Sequence, residues 1–171
     1  LHPTTKEEYT LARTEKKEGL GHRGFSTDTS KGITLEEDLA RRDFTINAIA
    51  KDSNGTIFDP FGGIQDIEGK TLRHITDAFR DDPLRVLRGA RFSATLGFQI
   101  AEETQSLMLD IVKSGELKSL SVERIERELR LAIAGHHPNY FFETLKKCEA
   151  IPQLLPELDL PQLHNADDPI F

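Results

Sequence analysis

Asp81-Asp82-Pro83-Leu84-Arg85-Val86-Leu87-Arg88-Gly89-Ala90-Arg91 is the stretch around which the chain is organised. Asp82 followed by Pro83 predicts a helix start, because an aspartate caps orphan backbone N–H groups and proline fits the first helical position, where its missing N–H costs nothing. At about 100° per residue, Asp81, Asp82, Arg85 and Arg88 share roughly a third of the helix circumference. Val86, Leu87, Ala90 and Ala94 lie towards the other side. One face packs and the other presents paired charges.

Two readings of those charges stay open at this point. In one, Asp82 is a cap and Asp81 with Arg85 is a surface i,i+4 pair worth a few tenths of a kcal/mol. In the other, a carboxylate beside a guanidinium reads a nucleobase edge: Asp accepts from the amino group of cytosine or adenine, and Arg donates to the ring nitrogen or carbonyl next to it. Arg88 and Arg91, further along, suit phosphate oxygens through the guanidinium fork.

The chain has 171 residues, 37% hydrophobic and 30% charged, with a net charge of -7. This is long enough for a real core in one domain or two small ones. No run approaches the roughly 18 consecutive apolar residues of a membrane span, and no basic-then-apolar signal segment opens the chain. An intracellular, cytoplasmic globular protein is expected. The single cysteine, Cys148, excludes an internal disulfide framework and a multi-cysteine zinc site. The histidines are scattered, and His136-His137 has no carboxylate pattern beside it, so a metal is expected on carboxylates. The negative charge opposes indiscriminate nucleic-acid binding but not a local basic site. Arginines concentrate at 41–42 and at 80, 85, 88 and 91. The opening at Leu1 and the turn-like ending at Asp167–Phe171 are read as an internal segment of a longer protein.

Taken in order, residues 6–14 suit a strand, and the stretch from Gly19 to Gly32, rich in Gly, Ser and Thr, is expected to be a loop. Its glycines near His22 and Arg23 fit a plain loop better than a phosphate cradle. Thr34-Leu35-Glu36-Glu37 is a capping box, launching a short helix that delivers Arg41-Arg42-Asp43. Since adjacent arginines cannot share one helix face, at least one is expected to leave the solvated surface. Arg for phosphate and Asp for a ribose hydroxyl is one division of labour; a solvated Arg-Arg-Asp is the other. Ile46–Lys51 and Thr56–Phe58, flanking Asn54-Gly55, read as a hairpin. Asp59-Pro60-Phe61-Gly62-Gly63 breaks the chain and is either a hinge or a simple turn. A turn of helix over Ile64–Glu68 and a strand over Thr71–Ile75 come next.

Beyond the central helix the pattern is wholly helical. Thr104, Leu107, Met108, Ile111 and Val112 recur at three and four, as do Ile125, Leu129, Ala132 and Ile133 between a Ser121 cap and a Gly135 stop. Tyr140, Phe141, Leu145 and Cys148 predict another helix ending near Ala150, and Pro152, Pro156 and Pro161 divide the remaining chain into short pieces. These stripes are core-forming. The fold class is α+β, with strands and hairpins before about residue 76 and helices after it.

Three segments in this order, Glu36-Glu37-Asp38-Leu39-Ala40-Arg41-Arg42-Asp43-Phe44-Thr45-Ile46-Asn47-Ala48-Ile49-Ala50, Asp59-Pro60-Phe61-Gly62-Gly63 and Asp81-Asp82-Pro83-Leu84-Arg85-Val86-Leu87-Arg88, resemble the class II tRNA nucleotidyltransferases. These CCA-adding enzymes share a head and neck with bacterial poly(A) polymerases. Glu7-Glu8-Tyr9-Thr10-Leu11-Ala12-Arg13-Thr14 resembles the strand that follows the catalytic strand in the bacterial members. The resemblance implies a polymerase-beta-like nucleotidyltransferase head over residues 1–76, incomplete at its N-terminus. It also implies a helical neck over 77–135 and the start of a helical body over 136–171.

It further implies that Arg42 and Asp43 contact the triphosphate and ribose of an incoming nucleotide, and that Asp59–Gly63 is a flexible element between head and neck. Asp82 and Arg85 become the amino-acid template for CTP or ATP, Arg88 and Arg91 phosphate contacts, and Glu8 a catalytic acid and Mg²⁺ ligand. CTP and ATP are the implied substrates and the tRNA 3′ end the implied partner. Two departures stand out. Asp81 occupies a position that is usually Glu in the family, and the family's glycine-rich turn and two metal-binding aspartates precede the matched region. The intact protein is therefore expected to be a transferase, and this segment alone inactive. A poly(A) polymerase, an enzyme adding only A or only CC, and a non-catalytic RNA-binding relic are the alternatives.

Overall fold

The computed structural model describes residues 14–17, 25–28 and 32–156. Strand β1 (Thr14–Lys17) pairs antiparallel with β2 (Phe25–Asp28), Thr14 opposite Asp28 and Lys17 opposite Phe25. The expected strand over 6–14 lies outside the described residues except for Thr14. The expected loop from Gly19 to Gly32 needs correction, since residues 25–28 form β2. A Ser/Thr-rich run becomes a strand when a neighbouring strand satisfies its backbone groups, and composition does not register that partner.

Helix α1 (Leu35–Ala40) begins with both halves of the capping box: Thr34 Oγ1 accepts from the Glu37 N–H, and the Glu37 carboxylate accepts from the Thr34 N–H at 2.7 Å. The predicted strand over Ile46–Lys51 shrinks to β3 (Ala50–Lys51), antiparallel to β4 (Ile57–Phe58). A 3₁₀ turn takes Thr45–Asn47 instead, closed by Asn47 N–H on the Phe44 carbonyl at 2.8 Å and Ala48 N–H on the Thr45 carbonyl at 2.9 Å. Local hydrogen bonds here outcompete a ladder.

Asp59 then caps α2 (Gly63–Glu68), its two carboxylate oxygens accepting from Gly63 N–H at 2.7 Å and Ile64 N–H at 2.9 Å. Gly62 is left-handed at φ 73°, and a Cβ on Gly63 would stand 2.2 Å from the Thr45 carbonyl oxygen. The Gly-Gly pair is thus a helix entry seated beneath the 3₁₀ turn.

Strand β5 (Thr71–Leu72) is followed by a 3₁₀ turn over Asp77–Asp81, then α3 (Leu84–Leu96) and β6 (Gln99–Ile100), which pairs parallel with β5. A parallel pair needs a long crossover, and α3 supplies it. Asp82 is extended, Pro83 is already helical, and Asp82 Oδ1 accepts from Leu84 N–H at 3.1 Å, so the predicted cap and N-terminal proline are both present. Asp81 belongs to the preceding 3₁₀ turn rather than to the charged helix face.

Helices α4 (Glu102–Lys113), α5 (Val122–Ile133), α6 (Pro138–Lys147) and α7 (Ile151–Leu154) complete the described fold, with α3 packed on α5 and α6. Helix α6 stops before the expected Ala150, because Glu149 turns left-handed at φ 58° and Ala150 N–H bonds back to the Leu145 carbonyl at 2.9 Å. One buried cluster joins Phe44 and Leu72 to Phe79, Leu87, Met108 and Phe141. Phe44 meets Phe79 and Phe92 edge-on, centroids 5.4 and 5.7 Å apart. The strand-bearing half and α3 therefore share a core, which holds the segment 41–47 against one face of α3.

Candidate nucleotide site

The site grows from the end of α1. As the helix ends, Arg41 and Arg42 both turn back onto Asp38: Arg41 Nη2 reaches Oδ1 at 2.8 Å and Arg42 Nη2 reaches Oδ2 at 3.3 Å. The expectation that at least one of the adjacent arginines leaves the plain solvated surface holds: both turn onto this shared, buried carboxylate, and the Arg41 side chain is 22% exposed. Arg42 also gives Nη1 to the Asn47 carbonyl at 2.8 Å, and its side chain stays 41% exposed.

Asp43 is buried. Its Oδ1 accepts from Phe44 N–H at 2.9 Å and Asn47 Nδ2 at 2.8 Å, and its Oδ2 accepts from Arg88 Nε at 2.6 Å. Burial alone would push the carboxyl up, but the Arg88 charge and the hydrogen bonds from Asn47, Arg88 and Phe44 outweigh it and hold Asp43 below the ordinary aspartate range. It is a carboxylate at neutral pH.

Helix α3 supplies the other wall. Arg85 donates Nη1 to the Ala78 carbonyl at 2.9 Å and Nη2 to the Arg41 carbonyl at 2.6 Å, and lies over the Phe79 ring at 5.9 Å. One turn on, Arg88 reaches Asp43 and lies over Phe92 at 5.5 Å. Arg91 pairs with Glu128 of α5 at 2.6 Å and stacks on Phe92 at 3.9 Å, with only 14% of its side chain exposed. Asp82, besides capping α3, receives Arg124 Nη2 of α5 on Oδ1 at 3.2 Å and on Oδ2 at 2.9 Å.

The segment 41–47 meets α3 through two ties, Asp43 with Arg88 and the Arg41 carbonyl with Arg85, and Arg42 joins them through Asn47, which it shares with Asp43; Asp82 and Arg91 are tied to α5. Glu8 lies outside the described residues. Asp38, Asn47 and Arg124 are not among the residues that sequence reasoning singles out. Asp38 is signalled by its i+3 and i+4 arginines; Asn47 stands at i+4 from Asp43 but inside an expected strand. Arg124 pairs across 42 positions and leaves no local signal.

The chain matches two family models, "Poly A polymerase head domain" over residues 2–73 and "Probable RNA and SrmB- binding site of polymerase A" over residues 97–160. Curated relatives called multifunctional CCA protein are 57% identical in Shewanella frigidimarina, over 93% of this chain and 39% of theirs, and 54% identical in Tolumonas auensis, over 93% and 40%. The chain belongs to the family of tRNA nucleotidyltransferases and poly(A) polymerases. It spans about two fifths of the length of the curated relatives it matches.

Solved nucleotidyltransferases share the fold. A Bacillus stearothermophilus CCA-adding enzyme in complex with CTP is 34% identical with a TM-score of 0.70, covering 85% of this chain and 35% of that one. A tRNA nucleotidyltransferase complexed with a primer tRNA and an incoming ATP analogue is 34% identical with a TM-score of 0.68, covering 74% and 39%. The expected α+β class, small sheets followed by a run of helices, holds. Family nucleotidyltransferases use Mg²⁺, but among the described residues no group of three or more His, Cys, Asp or Glu is placed to hold a metal ion. The described residues by themselves do not fit such an ion. Among the described residues no helix is long and apolar enough to cross a membrane.

Proposed function

We propose that the whole protein adds CCA to tRNA 3′ ends from CTP and ATP without a nucleic-acid template, in the cytoplasm. Residues 1–76 act as the head, 77–135 as the neck and 136–171 as the start of the body. The observation that carries this function is the pairing of α3 with the segment 41–47: base-reading and sugar-phosphate residues lie on two elements cross-tied by Arg85 and Arg88. Arg42, the most exposed of Arg42, Arg88 and Arg91, takes triphosphate oxygens, and Asp43 a ribose hydroxyl. Arg88 and Arg91 add N–H groups other than the Nε–H already given to Asp43 and Glu128. Glu8 acts near the metals, which are Mg²⁺ by family likeness.

Asp82 and Arg85 select the base. An acceptor beside a donor matches the exocyclic amine and ring nitrogen of C and A. G and U would set a carbonyl against Asp82, an unpaired contact costing roughly 1–3 kcal/mol. The test is incorporation of all four nucleotides by the full-length protein on a tRNA lacking CCA. Asp82→Ala and Arg85→Ala should relax base choice more than they weaken triphosphate binding; unchanged selectivity would remove the template role. The match to a poly(A) polymerase head model favours one second reading, adenylate addition on the same scaffold. Sequencing the reacted tRNA ends separates the two, since a polymerase leaves long adenylate runs.

A further inference from the structure

Asn47 touches the residue proposed to hold the sugar, Asp43, and one of those proposed to hold the phosphates, Arg42, through different parts of itself. Its backbone carbonyl accepts from Arg42 Nη1 at 2.8 Å, and its side-chain Nδ2 donates to Asp43 Oδ1 at 2.8 Å. A carboxylate has about four acceptor positions, two on each oxygen. Asp43 Oδ1 is filled by Phe44 N–H and Asn47 Nδ2, whereas among the described residues Oδ2 accepts only Arg88 Nε. Among the described residues one acceptor position is left, and it is on Oδ2.

We infer that Asn47 is a positioning residue that sets discrimination between ribo- and deoxyribonucleotides, by locking the Asp43 carboxylate so that its remaining acceptor position on Oδ2 receives the sugar hydroxyl. The inference rests on the sugar-binding role proposed for Asp43. Without the amide, Oδ1 regains a vacant acceptor position and only Phe44 N–H still opposes Arg88, so the carboxylate is held less firmly and presents Oδ1 as well as Oδ2 to the sugar. The 3₁₀ turn makes the arrangement possible: it folds Asn47 back over Asp43, whereas alternating strand geometry would not. Because Arg42 is held by the backbone of Asn47, deleting the side chain leaves the Arg42 phosphate contact intact. Sugar selection and phosphate affinity are therefore separable at this one residue.

The experiment uses the full-length protein and a tRNA lacking CCA, and compares kcat/KM for CTP with that for 2′-deoxy-CTP. Inhibition by inorganic tripolyphosphate reports the phosphate contacts. Asn47→Ala should lower the ribo-to-deoxyribo preference roughly tenfold, the equivalent of one charge-assisted hydrogen bond, with tripolyphosphate inhibition unchanged. Asn47→Asp, of nearly equal size but without the donor, should lower it at least as far, and it serves if the alanine variant does not fold. An unchanged preference in both variants, with Asp43→Ala abolishing it, overturns the role of Asn47 and leaves that of Asp43. A preference that Asp43→Ala also fails to move overturns the sugar contact itself. Parallel loss of preference and of tripolyphosphate inhibition means general loosening of the turn, and overturns the inference.

Discussion

Arg88 Nε donates to Asp43 Oδ2 across 2.6 Å, joining the middle of α3 to the segment that leaves α1, with the Asp43 side chain 6% exposed and the Arg88 side chain 33% exposed. This pair fixes the distance between the proposed base-reading helix and the proposed sugar-phosphate segment. Arg88→Ala would leave Asp43 buried with two of its three donors. A destabilisation of about 1–3 kcal/mol is expected, read as a lower urea midpoint with an unchanged slope.

The pH dependence of the same pair has a definite sign. Asp43 is shifted down by its partners, so its contribution to stability is present above the unfolded aspartate value, about 3.9, and is lost as pH falls through the lower folded value. The stability difference between the native protein and Asp43→Asn should be constant from neutral pH to about pH 5 and shrink in stronger acid. Thermal melts of the two proteins across this range measure it, and a difference that grows on acidification would contradict the assignment.

Asp82 and Arg124 form the tie between the start of α3 and the start of α5, with 21% and 23% of their side chains exposed. Arg124 sits in the first turn of α5, where a cation opposes the helix dipole, so Asp82 is what makes that position tolerable. A double-mutant cycle with Asp82→Ala and Arg124→Ala should give a favourable coupling of about 0.5–3 kcal/mol. Additive effects would show the two groups to be independent.

The glycine pair should rank its substitutions. Gly62→Ala places a side chain at φ 73° with nothing within 4 Å of its Cβ, costing about 1–2 kcal/mol of backbone strain. Gly63→Ala drives its Cβ to 2.2 Å from the Thr45 carbonyl oxygen and 2.9 Å from the Ile49 side chain. Backbone must move, and the loss should exceed that of Gly62→Ala by more than about 1 kcal/mol. Chemical denaturation of the two variants gives the order.

Cys148 is fully buried, and burial pushes its thiol up to about 12. The thiolate is the reactive form, so iodoacetamide at pH 8 should leave Cys148 unmodified in the native protein and label it in urea. Peptide mapping by mass spectrometry distinguishes the two states.

Much of the fold is legible along the chain because it is local. The Thr34–Glu37 capping box, the Asp82-Pro83 start of α3, the Asn54-Gly55 turn and the stripes of α4 and α5 each depend on residues within about a turn of one another, where backbone hydrogen bonding and hydrophobic periodicity act. The family, too, is carried by contiguous motifs. By composition the strand Phe25–Asp28 reads as loop, since its deciding partner is another strand, and Ile46-Asn47 reads as strand, since composition does not register the local bonds of Asn47 to Phe44 and Asp43 that make a 3₁₀ turn there.

Local chemistry along the chain is enough to place the main helices, their starts, their apolar faces and the charged residues offered to a nucleotide. Tertiary structure alone decided which of those charges meet. Arg88 with Asp43, Arg124 with Asp82, and β5 with β6 are separated by tens of residues, and nothing local distinguishes a paired arginine from a solvated one. The physical reason is that a charge's role depends on burial and on the partner brought to it. The shared core of Phe44, Phe79 and Phe92 sets both for Asp43, and the packing of α3 on α5 sets both for Asp82.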